Sequence, residues 1–366
     1  MNDMSLTNPS NTNVQPSAQQ IALLERLSNA CAVSSDEHEV RQIVRAEIEA
    51  HADEIIVDAM GNLLAVRRAQ VENPLRVMLA AHMDEVGLML IHSDGDGLFS
   101  FQTMGGIDPR QLVGKPVWVG RQHHPGVIGA RPYHLSSDEE MRHSVPISQL
   151  RIDLGPGGSE LAQPGDLAAF ATRFQQAGPS LMGKALDDRL GVASLIEIFK
   201  TAPRHIELWA AFTVQEELGL RGARVAAFRI QPHLAIAVDS TPANDLPAAD
   251  GQENTRYNTR LGFGPAIYVA DRATISDPRL VRHLTETAAA QGIPFQYRQP
   301  GGGSTDAGAI LRAQSGVPVI SVSVPGRYAH TACLVARAAD WGATMALLQA
   351  SLQTLTTDIL KEERRP

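Results

Sequence analysis

Four short, nearly unbroken apolar runs constrain this chain more than any other feature: RVMLAA at 76–81, IELWAAFTV at 206–214, HLAIAVD at 233–239 and PVISVSV at 318–324. A strand covered on both faces reads as such a run, whereas a strand with one wet face alternates. Helical patterns lie between the runs. In LDDRLGVASLIEIFK, Leu190, Ala193, Ile196 and Phe199 make an apolar stripe, and IALLERLSNA has apolar residues at helical spacing. Helices are expected over 20–30 and 36–50, with Ser34 and Glu37 as a capping box for the second. ADWGATMALLQASLQTLTTDILKEE is expected to form one long C-terminal helix. The alternation predicts an α/β domain whose sheet is mixed, mostly parallel and flanked by helices.

The stretch from 88 to 178 breaks this pattern. LMLIHS, GLFSFQTM, KPVWVG and GVIGA are short alternating segments, closely punctuated by Gly, Pro and Asp. They predict a small inserted domain of short antiparallel strands. The α/β domain then spans 20–87 and 179–366. Residues 1–19 are polar and rich in Asn, Ser, Pro and Gln, without the basic start and apolar core of a secretory signal. They are expected to be a disordered tail.

Composition excludes several function classes. No apolar run approaches the length of a membrane span. The formal net charge of −8, with no long basic run, argues against nucleic acid or an anionic membrane as the main partner. Cys31 and Cys333 are the only cysteines, so there is no disulfide framework and a reducing cytoplasm fits.

Five segments carry the chemistry: AAHMDEVG with His82 and Asp84, GKALDDRLG with Asp187 and Asp188, TVQEELGLRGA with Glu216 and Glu217, AIAVDST with Asp239, and PGRYAHTA with His330. Four of them follow an apolar run directly. In open α/β sheets, ligands bind outside the carboxyl ends of the strands, so these segments are expected to converge on one edge. Each has a bland reading alone. The Asp187–Asp188 pair suits a helix N-terminus, for example, and the Glu216–Glu217 pair a solvated helix start. Together they offer two imidazoles and several carboxylates, a set that suits zinc, cobalt or manganese and needs no thiolate. One ion needs only about three protein ligands, and the larger number suggests two ions sharing a carboxylate. Neither Ser304 nor Cys333 sits in a nucleophile motif, and QPGGGSTDAGA lacks the lysine of a phosphate loop. That run is expected to be a tight loop near the site, with Asp306 as polar support or a substrate contact.

In combination and order, HMDEVGLM, MGGIDPRQLVGKPV, GVIGARPYHL, IDLG, GKALDDRLG, TVQEELGLRGA, AVDST, LGFGPAI, GGGSTDAGAI and PGRYAHT resemble the tetrahedral aminopeptidases, the glutamyl-aminopeptidase-like metallopeptidases with two co-catalytic metals. The resemblance covers about residues 20–355. It implies a catalytic α/β domain with a small barrel-like insertion for dimerisation and assembly, and subunits that build dimers and hollow tetrahedral dodecamers. It also implies two divalent ions per subunit, zinc or cobalt. His82, Asp187 and Asp239 would hold one, and Asp187, Glu217 and His330 the other, with Asp187 bridging. Glu216 would be the general base. Asp84 would hydrogen-bond His82 from behind and fix its tautomer. The bond from Asp187 to Asp188 would be cis. The chain departs from the family at CAVSSDEHEV, where the second helix usually has a Gly-rich start, and at Leu334, where relatives often carry glutamate.

The implied activity is removal of N-terminal residues from peptides by a water held between the two metals, with Glu216 moving its proton. A two-metal deacylase or carboxypeptidase on a similar fold is the nearest rival. A non-catalytic assembly protein retaining the fold is a rival of another class, and degraded ligands would mark it. The preferred N-terminal side chain is not legible.

Overall fold

A computed structural model describes residues 14–138, 142–247, 258–299 and 302–364. Its strands in chain order are β1 (Glu54–Val57), β2 (Leu63–Arg67), β3 (Leu75–His82), β4 (Gly87–Gly95), β5 (Leu98–Met104), β6 (Pro116–Val119), β7 (His124–Gly129), β8 (Arg151–Asp153), β9 (Leu167–Phe170), β10 (Gln175–Ala177), β11 (Ser180–Gly183), β12 (Ile206–Thr213), β13 (Leu234–Pro242), β14 (Ala266–Ile267), β15 (Gln296–Tyr297), β16 (Val319–Arg327) and β17 (Leu334–Arg337). The described α-helices are α1 (Ala18–Asn29), α2 (His38–Ile48), α3 (Leu186–Thr201), α4 (Arg221–Ile230), α5 (Pro278–Gln291), α6 (Ala307–Ile310) and α7 (Ala338–Thr354).

The four apolar runs form the parallel centre of the large sheet. Its order is β1-β2-β12-β3-β13-β16-β17-β11-β10, with β12, β3, β13 and β16 mutually parallel. β2 and β17 flank this centre antiparallel, and the short β14 and β15 branch from β16. Side-chain alternation gives the two faces different textures. Val77, Leu79, Ala81, Leu208, Phe212, Ile236, Val238, Ile320 and Val322 face one core, into which α1, α2, α3, α5 and α7 pack. Met78, Ala80, Ala211, Ala235 and Ala237 face the other, where Ala223, Ala226 and Ala227 of α4 and Ala307 and Ala309 of α6 meet them. The bulky face carries the larger helical layer. The alanine face admits helices whose own contacts are small.

β4, β5, β8, β7, β6 and β9 close an antiparallel barrel, which leaves no open sheet edge. Leu88, Leu90, Phe99, Phe101, Val117, Val119, Ile128 and Ile152 fill it. Only Met83–Val86 separate the end of β3 from the barrel, so the first site segment is also the hinge between the two bodies. β10 and β11 return the chain to the large sheet.

Three local expectations fail. The Ser34–Glu37 capping box does not form. Ser34 Oγ donates instead to Asp84 Oδ2 at 2.6 Å, and Glu37 accepts from the Ser35 N–H at 2.8 Å. A capping box forms on α1 between Ser17, inside the stretch expected to be tail, and Gln20. Residues 1–13 lie outside the described residues. The C-terminal helix ends at Thr354: Leu355 is extended, and a 3₁₀ turn follows at Thr357–Leu360. Thr356 Oγ1 accepts from the Asp358 N–H at 3.4 Å, the local competition that interrupts helices at Thr. Leu355 and Ile359 stay buried through the break. Among the described residues no helix is long and apolar enough to cross a membrane.

Candidate metal centre

The parallel register brings the site together. Thr213 of β12 lies opposite His82 of β3, and Asp239 of β13 opposite Ser323 of β16, so all four strands end at one edge. His82 is the last residue of β3. Glu216 and Glu217 follow β12 through a sharp bend, with Gln215 at φ +54°. His330 follows β16, also at positive φ. Asp187 precedes the regular turns of α3, and the Asp187–Asp188 peptide is cis, as the resemblance implied.

Asp187 divides its two oxygens. Oδ1 is 3.4 Å from His82 Nε2, and Oδ2 is 3.6 Å from His330 Nε2. Asp239 Oδ1 is 3.6 Å from His82 Nε2, and Glu217 Oε2 is 3.3 Å from His330 Nε2. These distances exceed ordinary hydrogen bonds. They match the edge of a tetrahedron around an ion held at about 2.0–2.1 Å, which is roughly 3.3 Å. Ligand atoms of His82, Asp187 and Glu217 all lie within 4.8 Å of one another, and so do those of His82, Asp188 and Asp239.

Both imidazoles are anchored from behind. His82 Nδ1 is 3.1 Å from the Asp84 carbonyl, and His330 Nδ1 is 2.9 Å from the Gly106 carbonyl. Donation from Nδ1 to a carbonyl leaves the Nε2 lone pair facing the site. The Asp84 carboxylate is 3.7 Å from His82. It accepts instead from the Glu216 and Glu217 N–H groups at 3.0 and 3.2 Å, and so fixes the glutamate bend. Asn62 holds the other side of that bend, its Oδ1 accepting from the Val214 N–H at 3.0 Å. Gly105 and Gly106 bring the loop after β5 against Glu217 and His330. A Cβ on Gly105 would stand 3.3 Å from Glu217 Oε2.

The adjacent aspartates split their duties. Asp188 Oδ1 caps α3 by accepting from the Gly191 N–H at 2.9 Å, while its buried Oδ2 has no hydrogen-bond partner. Electrostatics show too much negative charge for two histidines. Burial and its acidic neighbours raise Glu217 to about 8 and Asp239 to about 6, and push Glu216 and Asp188 well above the carboxylate range. Burial would also raise Asp187, but His82 and His330 hold it at about 2. Burial would lower His82, yet Asp187, Asp239 and Asp84 carry it well above the imidazole range. The donor set and its unbalanced charge fit divalent cations.

A cavity of about 510 Å³ opens on His82, Asp187, Glu216, Glu217, Asp239 and His330. Asp306 is not among its lining residues. It is buried behind β12, accepts from Thr213 Oγ1 at 2.5 Å, and burial raises it to about 7. Arg298 does line the cavity and was missed in the sequence. It is 5% exposed and stacks 4.7 Å from the Tyr268 ring centre, and its Nη1 has no hydrogen-bond partner. No motif marks it. Ser34 and Asn62 were missed because each acts through backbone geometry that only the fold creates.

A family model described as M42 glutamyl aminopeptidase matches residues 61–347. The chain belongs to that family. It is 30% identical to the glutamyl aminopeptidase of Lactococcus lactis over 354 residues, covering 93% of this chain and 97% of the relative. It is 30% identical to the lysyl aminopeptidase of Pyrococcus furiosus over 345 residues, covering 91% and 96%. Among solved structures, the TET peptidase of Pyrococcus horikoshii superposes with a TM-score of 0.81 at 33% identity, covering 92% of this chain and all of that one. That peptidase can assemble into a tetrahedron or a large octahedral shell. This M42 chain is an aminopeptidase, a hydrolase of peptide bonds.

Proposed function

We propose that this aminopeptidase works with two divalent ions, zinc or cobalt, and that Asp187 bridges them. The supporting observation is the division of the Asp187 oxygens between His82 and His330. His82, Asp187 and Asp239 hold one ion, and Asp187, Glu217 and His330 hold the other. When bound, the ions lower the pKa of the attacking water and polarise the scissile carbonyl. Glu216 lines the same cavity. Its carboxylate takes the proton from the water and passes it to the leaving amine. Asp84 acts on the backbone, keeping Glu216 and Glu217 at fixed directions. Asp306 acts as polar support through Thr213.

Peptides with a free N-terminus are the substrates, and the cytoplasm is the site of action. The barrel is the assembly module of a homo-oligomer, as a family whose relative forms closed shells suggests. The test is activity on a panel of aminoacyl amides after chelation and re-addition of single metals. Loss on chelation and recovery with about two equivalents per chain are expected. Full activity with one equivalent overturns the bridged pair, and preference for N-acetylated amides over free amines overturns the exopeptidase reading. Sizing at working concentration tests assembly, and a stable active monomer refutes it.

A further inference from the structure

A second set of metal-ligating side chains lies away from the catalytic centre. Cys31 follows α1, Glu39 is in the first turn of α2, and His123 sits in the turn between β6 and β7. One ligand atom from each, a sulfur, an oxygen and a nitrogen, lie within 4.8 Å of one another. We infer that Cys31, Glu39 and His123 form a separate site for a divalent cation of borderline softness, Zn²⁺ being the best match, which clamps the barrel to the α/β domain.

The three side chains are set up for this by their own backbones. Glu39 is held in place: its Oε2 accepts from the Cys31 N–H at 2.9 Å, which ties its carboxylate to the Cys31 backbone. Its Oε1 faces His123 Nε2 at 2.5 Å. His123 has φ +54°, a left-handed conformation that disfavours a non-glycine residue. That backbone carries the imidazole from the hairpin tip across to α2. The neighbouring Asp36 is not a competing ligand, because Arg121 engages both its oxygens at 2.8 and 3.0 Å.

The donor set selects the metal. One thiolate, one imidazole and one carboxylate suit Zn²⁺, whereas Mg²⁺ and Ca²⁺ favour oxygen alone. Around Zn²⁺ the nitrogen-to-oxygen separation would open from the hydrogen-bonded 2.5 Å to about 3.3 Å, a movement of less than one ångström. The Glu39 and His123 side chains are 35% and 37% exposed, on a cavity of about 900 Å³ that also reaches Trp118 and Glu160. Three protein ligands beside open solvent leave the fourth position to water. Burial raises the Cys31 thiol to about 11, so binding must displace its proton, and affinity should rise about tenfold per pH unit near neutrality.

The test compares full-length wild type with Cys31→Ser, His123→Gln and Cys333→Ser, each equilibrated with Zn²⁺ at pH 8 and desalted. Wild type and Cys333→Ser should hold one more equivalent per chain than Cys31→Ser and His123→Gln. The readout is a difference, so it stands whether or not the catalytic centre fills as proposed. Loading with Co²⁺ should give a thiolate-to-metal charge-transfer band in wild type and Cys333→Ser and none in Cys31→Ser. Activity on aminoacyl amides should be kept in all variants and serves as the folding control. If Cys31→Ser folds poorly, the solvent-facing His123→Gln carries the comparison. Equal metal content in wild type and His123→Gln overturns the site, as does a band that survives in Cys31→Ser.

Discussion

Glu85→Gln should destabilise the fold far more than Lys184→Met, although each removes one charge from the same buried cluster. Glu85 accepts from Lys184 Nζ at 2.7 and 3.0 Å, from Arg189 Nη2 at 3.1 Å and from the Ala32 N–H at 2.9 Å. All three side chains are at most 2% exposed. Two cations and one anion leave the cluster with an excess positive charge. Lys184→Met leaves the neutral pair of Glu85 and Arg189 and fills the space of the lysine stem. It loses the bonds from Nζ to the Ala30 carbonyl at 2.6 Å and to Glu85, but Arg189 and the Ala32 N–H still hold the carboxylate, so the cost is about 1–2 kcal/mol. Glu85→Gln leaves two buried cations supported only by neutral oxygens. Removing one partner of a buried pair costs about 3–5 kcal/mol. At an m-value of about 3 kcal/mol per M, the urea midpoint should fall by roughly 1–1.7 M for Glu85→Gln and roughly 0.3–0.7 M for Lys184→Met. The effect has a pH signature. Burial would raise Glu85, but the Lys184 and Arg189 charges hold it below its ordinary value of 4.5. A depressed carboxylate stabilises the fold above its unfolded pKa and loses that contribution as pH falls. The Glu85→Gln penalty should thus be full at pH 7 and shrink below about pH 4.5. Equal penalties for the two variants, or a Glu85→Gln penalty unchanged in acid, would refute the charge-balance argument.

Other sites give sharper functional contrasts. Glu216→Gln should keep metal and peptide binding yet lose about 10²–10⁴ in kcat, whereas Glu217→Gln should lose metal; the reverse pattern exchanges the two roles. Ser17→Ala should cost about 1 kcal/mol through the α1 capping box, while Ser34→Ala should leave α2 intact and lower activity through Asp84; thermal melts with kinetics separate them. Gly191→Ala would normally stabilise a helix by about 0.5–1 kcal/mol, but here the new Cβ meets Asp188 Oδ2 at 2.3 Å, so both stability and metal content should fall. Arg298→Met should shift kcat/KM toward basic over acidic N-terminal residues by about tenfold, because a buried guanidinium whose Nη1 has no hydrogen-bond partner disfavours a like charge; an unchanged ratio places Arg298 outside the side-chain subsite.

The central sheet was legible because burial on both faces writes itself as an uninterrupted apolar run. β3, β12, β13 and β16 each begin within a residue of their runs. His82, Glu216, Glu217, Asp239 and His330 were legible because they come at or soon after the ends of those runs, whereas Asp187 was legible only through the Asp–Asp pair at a helix start. Elements with weaker apolar content were not. β1 has an exposed, intermediate, intermediate, exposed burial pattern, so no buried run marks it. The Ser34–Glu37 spacing matched a capping box, but Asp84 offered Ser34 a charge-assisted bond that no local pattern reveals. Asp84 itself was assigned to His82 by resemblance. In the fold its carbonyl meets the imidazole and its carboxylate holds the glutamate bend. The capping reading and the site reading of Asp187–Asp188 were alternatives in the sequence, and the fold gives one to each residue.

The segment from Lys184 to Arg189 couples stability to the metal centre. Lys184 and Arg189 reach back to Glu85, Asp187 faces His82 and His330, and Asp188 caps α3, all within six residues. Glu85 is in turn two residues before β4 and three after His82. The buried ion cluster therefore joins the loops that present His82 and Asp187. Metal bound only to the folded state adds RT ln(1 + [M]/Kd), about 2.7 kcal/mol per site at a hundredfold excess over Kd. Two such sites would contribute about 5 kcal/mol, as much as Glu85→Gln removes. Glu85→Gln in excess metal should accordingly look about as stable as metal-free wild type, and much weaker after chelation. If excess metal restores stability to Glu85→Gln but less than to wild type, the shortfall measures how far the cluster positions Asp187. An equal gain in both would mean that the cluster supports the fold alone.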